Sequence, residues 1–176
     1  MKKRTPQRQQ TGAIAAEYVA AIMFLFLVLT FPLMNLATVS YKYNLVVNAV
    51  HNACHVAMTA SSFDNPTTGI RAIVPRAINA ELGPVRGITI NKINYRINHV
   101  NIKTQVVTNE TWKTKLATAP NPDEQYSIEV VVEATCEPVV QMSATGFIPP
   151  IPGLTAPARY VVSSQQLVEN LQGLTI

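Results

Sequence analysis

Glu17 is the residue whose chemistry most needs a partner. It stands at the edge of a stretch with no charged residue from Tyr18 to Tyr41, almost wholly apolar between Tyr18 and Met34. A carboxylate inside a membrane boundary costs about 2.5–3.5 kcal/mol on insertion scales, so an opposite charge is expected beside it. No Lys or Arg lies close on the apolar side. The plainer reading leaves Glu17 in the headgroup layer, where the first turns of a helix favour a negative side chain. A second group is His51, Cys54 and His55. His at i and i+4 can share a metal on one helix, but the helical angle turns Cys54 to the apolar face and both His to the polar one. With His99 the only other His, two solvated histidines and no metal are expected. A third group, Glu129, Glu133 and Glu137, alternates along what reads as a solvated strand face. No Gly-x-Ser-x-Gly, His-Glu-x-x-His or phosphate-binding Gly-rich loop occurs, so neither an enzyme nor a cofactor is expected.

The element that must carry Glu17 is a long helix. About 20 apolar residues cross roughly 30 Å of hydrocarbon, and a span at about 18–39 meets that length. A secretory signal has an apolar core of only about 7–15 residues and a small-residue exit, and this run is longer and leads into further helical periodicity. Four basic residues ahead of the span (Lys2, Lys3, Arg4 and Arg8) predict a cytoplasmic N-terminus, with residues beyond about 40 outside. Past the span, Tyr43, Val46, Val47, Val50, Ala53, Cys54, Ala57 and Met58 recur at three and four, one face of a helix. Ala13–Ala60 therefore reads as one helix, with a kink expected at Pro32. Ser61 to Gly69 is a loop by its turn residues.

The chain carries 14 Lys+Arg against 10 Asp+Glu, with a pI near 9.2. All of the excess precedes Gly12, where no acidic residue occurs, so composition gives the folded part no basic face for nucleic acid. Residues 61–176 read as a small α+β domain on an antiparallel sheet. Ile70–Leu82 has helical spacing with Pro75 inside it, which predicts a short or broken helix. Ile88–Val107 alternates with two shifts of parity, so bulges or a hairpin are expected near Asn91-Lys92 or Asn98-His99. Glu124–Glu137 is the clearest strand, and Ala158–Ser164 a third candidate. Cys54 and Cys136 both face inward, which permits a disulfide outside the cytoplasm and equally two buried thiols. Asn109-Glu110-Thr111 fits the N-glycosylation pattern, which is idle in a bacterium. Prolines make 147–157 an extended loop.

Two stretches carry a resemblance. A basic leader, Gly12, Glu17 five residues on, and an apolar helix resemble the processing site of type IV pilin-like precursors. The Glu17-Tyr18 pair looks like the tight-adherence (Flp) branch. Gly153-Leu154-Thr155-Ala156-Pro157, then Ser163-Ser164 and Val168-Glu169-Asn170, resemble the C-terminal part of TadE-like minor pilins, or pseudopilins. At 176 residues the chain is far longer than major Flp pilins, which favours the minor class. The resemblance implies a leader at 1–12, cleavage after Gly12 by a prepilin peptidase, and Ala13 as the new terminus. It implies that Glu17 neutralises that terminus during assembly with other pilin subunits and the pilus machinery, in adhesion or secretion. The expected place is the bacterial inner membrane, with a periplasmic domain, and then the pilus. The alternative is an uncleaved, single-pass periplasmic binding module, in which Glu17 is incidental.

Overall fold

The structure is a computed structural model describing residues 8–112, 115–116, 119–140 and 150–175, with side chains from Ala16 onward except those of 108–112. Residues 1–7 of the expected leader, the side chains of Asn109, Glu110 and Thr111, and Phe147–Pro149 of the Pro-rich loop lie outside the described residues.

Helix α1, Arg8–Met58, has 51 residues and runs through Pro32 without interruption. At 1.5 Å per residue it is about 75 Å long. It starts ahead of the expected Ala13 and ends close to the loop that the turn residues mark. Helix α2, Ile70–Leu82, follows that loop and buries Ile70, Val74, Ile78 and Leu82, every fourth residue. It is a short helix with the expected bounds, and it runs through Pro75.

Four strands follow: β1 Ile88–Asn101, β2 Val107–Trp112, β3 Glu124–Cys136 and β4 Ala158–Leu167. They pair antiparallel in the order β2-β1-β3-β4. The fold class is α+β, as the residue patterns predict. In β3 the inward set Tyr126, Ile128, Val130, Val132, Ala134 and Cys136 is buried, and it packs in one core with Val46, Val50 and Ala53 of α1 and Val74 and Ile78 of α2. Full burial of an aliphatic side chain is worth about 1.5–3 kcal/mol, so this seam holds the helices to the sheet.

The first parity shift is a bulge: the β1–β3 register slips between Ile90 and Lys92, and Asn91 Nδ2 donates to Thr135 Oγ1 at 2.7 Å. The second is no hairpin. β1 continues through Asn98-His99, and the chain turns between Asn101 and Val107. Asn101 Oδ1 makes that turn by accepting from the N–H groups of Lys103 at 3.0 Å and Thr104 at 3.1 Å.

Candidate functional site

From Tyr18 to Met34, α1 projects its large apolar side chains away from the protein: Phe24 is 69% exposed and Leu27 48%. The apolar stretch is almost wholly unburied, and among the described residues nothing covers it. The helix is long and apolar enough to cross a membrane. Burial begins at Asn35 and continues at Val39, Lys42, Val46, Ala49, Val50, Ala53, Cys54 and Ala57, the three-and-four spacing of one helix face.

Gly12 and Ala13 lie in the second turn of α1. Ala13 and Glu17 are four apart, which sets them on one side of the helix. Glu17 and Tyr18 are exposed, below the whole of the sheet domain. Gly12, Ala13, Glu17 and Tyr18 thus lie within two turns of one helix.

Two polar residues at the junction carry no mark in the residue spacing. Asn35 is fully buried. Its Nδ2 donates to the carbonyls of Val140 at 2.9 Å and Leu154 at 2.8 Å, and its Oδ1 accepts from the Val140 N–H at 3.0 Å. The amide therefore grips both ends of the β3–β4 connection. Two turns up, Lys42 Nζ donates to the Glu137 carbonyl at 2.7 Å. Gly87, at φ +76, lets that ammonium pass, since a Cβ there would lie 2.6 Å from Nζ. The available cue was a lone Asn inside the apolar run, and composition treats it as a blemish.

A long N-terminal apolar helix packed by its second half on a small antiparallel sheet is a pilin-like architecture. No family model, curated protein or solved structure matches the chain.

Of the two alternatives left open for Cys54 and Cys136, the structure has two buried free thiols. Cys54 is a free buried thiol donating to the carbonyls of Ser164 at 3.2 Å and Ile128 at 3.4 Å. Cys136 is also free and buried, eight residues farther along β3 than Ile128. Eight residues of strand span about 26 Å, whereas bridged Cα atoms lie within about 7 Å. Burial raises both thiols above the usual range. Of the neighbouring histidines, His51 Nδ1 lies 3.3 Å from Ser164 Oγ and His55 is exposed.

The Glu129 carboxylate lies 3.7 Å from Arg96 on the outer sheet face. A polar cluster that the sequence left unmarked sits at the pole farthest from the apolar helix. Glu124 Oε2 accepts from Tyr126 OH at 2.8 Å and lies 2.8 Å from His99 Nδ1. The Tyr126 hydroxyl, and after it His99, holds the Glu124 carboxyl below the usual carboxylate range. His99 Nε2 is buried without a hydrogen-bond partner.

Proposed function

We propose that this chain is a TadE-like minor pilin, or pseudopilin, of a tight-adherence type IV pilus, with an assembly or adhesion role and no catalytic chemistry of its own. One observation carries the reading: an uncovered apolar half-helix continues, without a break, into a half that the sheet buries. Such a half-helix needs lipid before assembly and neighbouring helices after it. The Gly12-to-Glu17 spacing at its end supplies a processing point and a counter-charge, as the family resemblance implies. A prepilin peptidase, other pilin subunits and the assembly machinery are the implied partners, with the domain periplasmic and the mature protein carried to the cell surface.

N-terminal sequencing of protein from cells with the cognate peptidase tests this directly. Ala13 as the first residue supports the pilin, and Met1 returns the uncleaved anchor. Gly12→Leu should leave the precursor full-length, because a bulky side chain blocks close approach to the backbone.

Glu17→Gln separates processing from assembly. The amide keeps size and hydrogen bonding but loses the charge, so the Ala13 ammonium enters a helix bundle unpaired, at a cost of about 3–5 kcal/mol. Mature-length protein should accumulate in the membrane and be missing from sheared pili. Recovery of the processed variant in pili at wild-type levels removes the electrostatic role.

A further inference from the structure

We infer that the two described arms of the β3–β4 connection, at Val139-Val140 and Pro150–Pro157, reach the outer boundary of the bilayer, seating Val139 and Ile151 in lipid beside α1. The inference rests on reading α1 as membrane-spanning and goes beyond it, because a single-pass anchor needs only its helix in the membrane.

Depth is the first argument. Tyr18 and Tyr41 bracket the uncharged stretch and are 69% and 62% exposed. They stand about 35 Å apart along the helix, the separation of two interfacial aromatic belts across roughly 30 Å of hydrocarbon. Asn35 then lies inside the outer belt, about 10 Å below Lys42. Leu33, Met34 and Leu36 around it are 55%, 49% and 57% exposed, so none of the described residues covers that level of the helix. Whatever touches Asn35 shares its depth. Val140 and Leu154 touch it directly.

The path of the chain agrees. Glu137 meets Lys42 and Val140 meets Asn35, so three residues of connection descend beside two turns of helix. Three extended residues cover about 10 Å, matching those two turns.

Backbone accounting is the second argument. Non-helical backbone at membrane depth survives only where its polar groups are satisfied within the protein. Between Pro150 and Pro157 every N–H is either missing or bonded internally. Pro150, Pro152 and Pro157 have none. The N–H groups of Leu154, Thr155 and Ala156 all donate to the Ile151 carbonyl, at 3.1, 2.9 and 3.1 Å. Gly153 donates to the Ala156 carbonyl at 2.7 Å, and Ile151 to Thr155 Oγ1 at 2.8 Å. Loops in water have no need of such closure, since solvent takes their donors.

The third argument is the surface presented. Val139 is 58% exposed and Ile151 43%, one and three residues from the backbone groups bonded to Asn35. Lipid is the occupant that this nearness to the apolar half of α1 selects.

The test places single tryptophans in full-length protein reconstituted in phosphatidylcholine–phosphatidylglycerol vesicles, with Trp112→Phe removing the only native one. Val139→Trp and Ile151→Trp are read against Leu27→Trp within the span and Ser163→Trp on the exposed sheet face. Spin-labelled lipid should quench 139 and 151 nearly as well as 27, with blue-shifted emission, while aqueous acrylamide quenches only 163. Quenching of 27 by lipid but of 139 and 151 by acrylamide overturns this seating and leaves the span intact. Failure of lipid to quench 27 overturns both. Shielding of 139 and 151 from both quenchers assigns the surface to a second copy of the chain and likewise overturns the lipid assignment.

Discussion

Residues 16–34 of α1 expose their large apolar side chains, whereas residues 35–58 bury one residue in every three or four against β3 and β4. The backbone is the same helix throughout. What changes is the pattern: apolar on all sides in the first half, apolar on one stripe in the second. A uniformly apolar helix is stable only in apolar surroundings, while a striped one brings its own interior with it. The contrast shows that the domain is built on one face of the anchor and stops at Asn35, where a polar side chain replaces apolar contact with three hydrogen bonds.

The strongest way to break this comparison is to place the same charge in each half. Val50 is fully buried against the sheet. Val50→Asp adds a carboxylate with no partner, a cost of at least about 3–5 kcal/mol against a typical domain stability of about 5–15 kcal/mol. The near-ultraviolet circular dichroism of the purified protein should collapse toward that of a loosely packed state. Leu27→Asp should leave the domain's melting temperature in detergent unchanged and oppose insertion by about 2.5–3.5 kcal/mol, read as a smaller membrane fraction. Equal loss of domain stability in both variants would refute the division.

How much of this was legible beforehand depended on periodicity. The alternation of β3 and the stripe on α1 each repeat often enough to fix a face, and the structure keeps both. Single residues misled where their effect depends on what lies opposite. The β1–β2 turn uses Asn101 as an Asx turn and carries no Asn-Gly or Asp-Gly signal, so it was placed too early. Two inward cysteines satisfy a face rule without sharing a height along the sheet, so the residue pattern left bridge and free thiols open alike. Asn35 was invisible because its partners are backbone groups more than a hundred residues away. Gly12, Ala13 and Tyr18 came from the family resemblance and Glu17 from its place at the edge of the apolar run, and their roles belong to the proposed function.

Asn35→Leu sharpens the boundary between the halves. It matches the surrounding helix in polarity, so a purely apolar junction would tolerate it. Instead it strands the Val140 N–H and the carbonyls of Val140 and Leu154, and each unsatisfied buried group costs about 1–3 kcal/mol. The domain should melt at least about 6 °C lower in detergent, and amide exchange at Val140 should accelerate. An unchanged melting temperature would mean that side-chain packing alone sets where the domain begins.

The smallest effect is expected at the opposite pole, near the end of α1, where Glu169 N donates to the Met58 carbonyl and Val168 N to that of Tyr126. Glu124 there accepts from Tyr126 and faces His99, and these contacts favour its ionised form, so its folded pKa lies below the ordinary value. A depressed carboxyl pKa contributes stability that is fully present above the unfolded value, near about 4.3, and is lost as pH falls through the folded value. Glu124→Gln retains an acceptor for the Tyr126 hydroxyl but cannot titrate. Wild type should therefore melt slightly higher than the variant at neutral pH, and the two curves should converge as the solution is acidified below the carboxylate range. The gap stays small because solvent reaches the cluster and screens it. Melting curves that remain parallel through that range would show that Tyr126 and His99 hold the neutral and ionised forms equally, and the pole would then add nothing to the acid response of the domain.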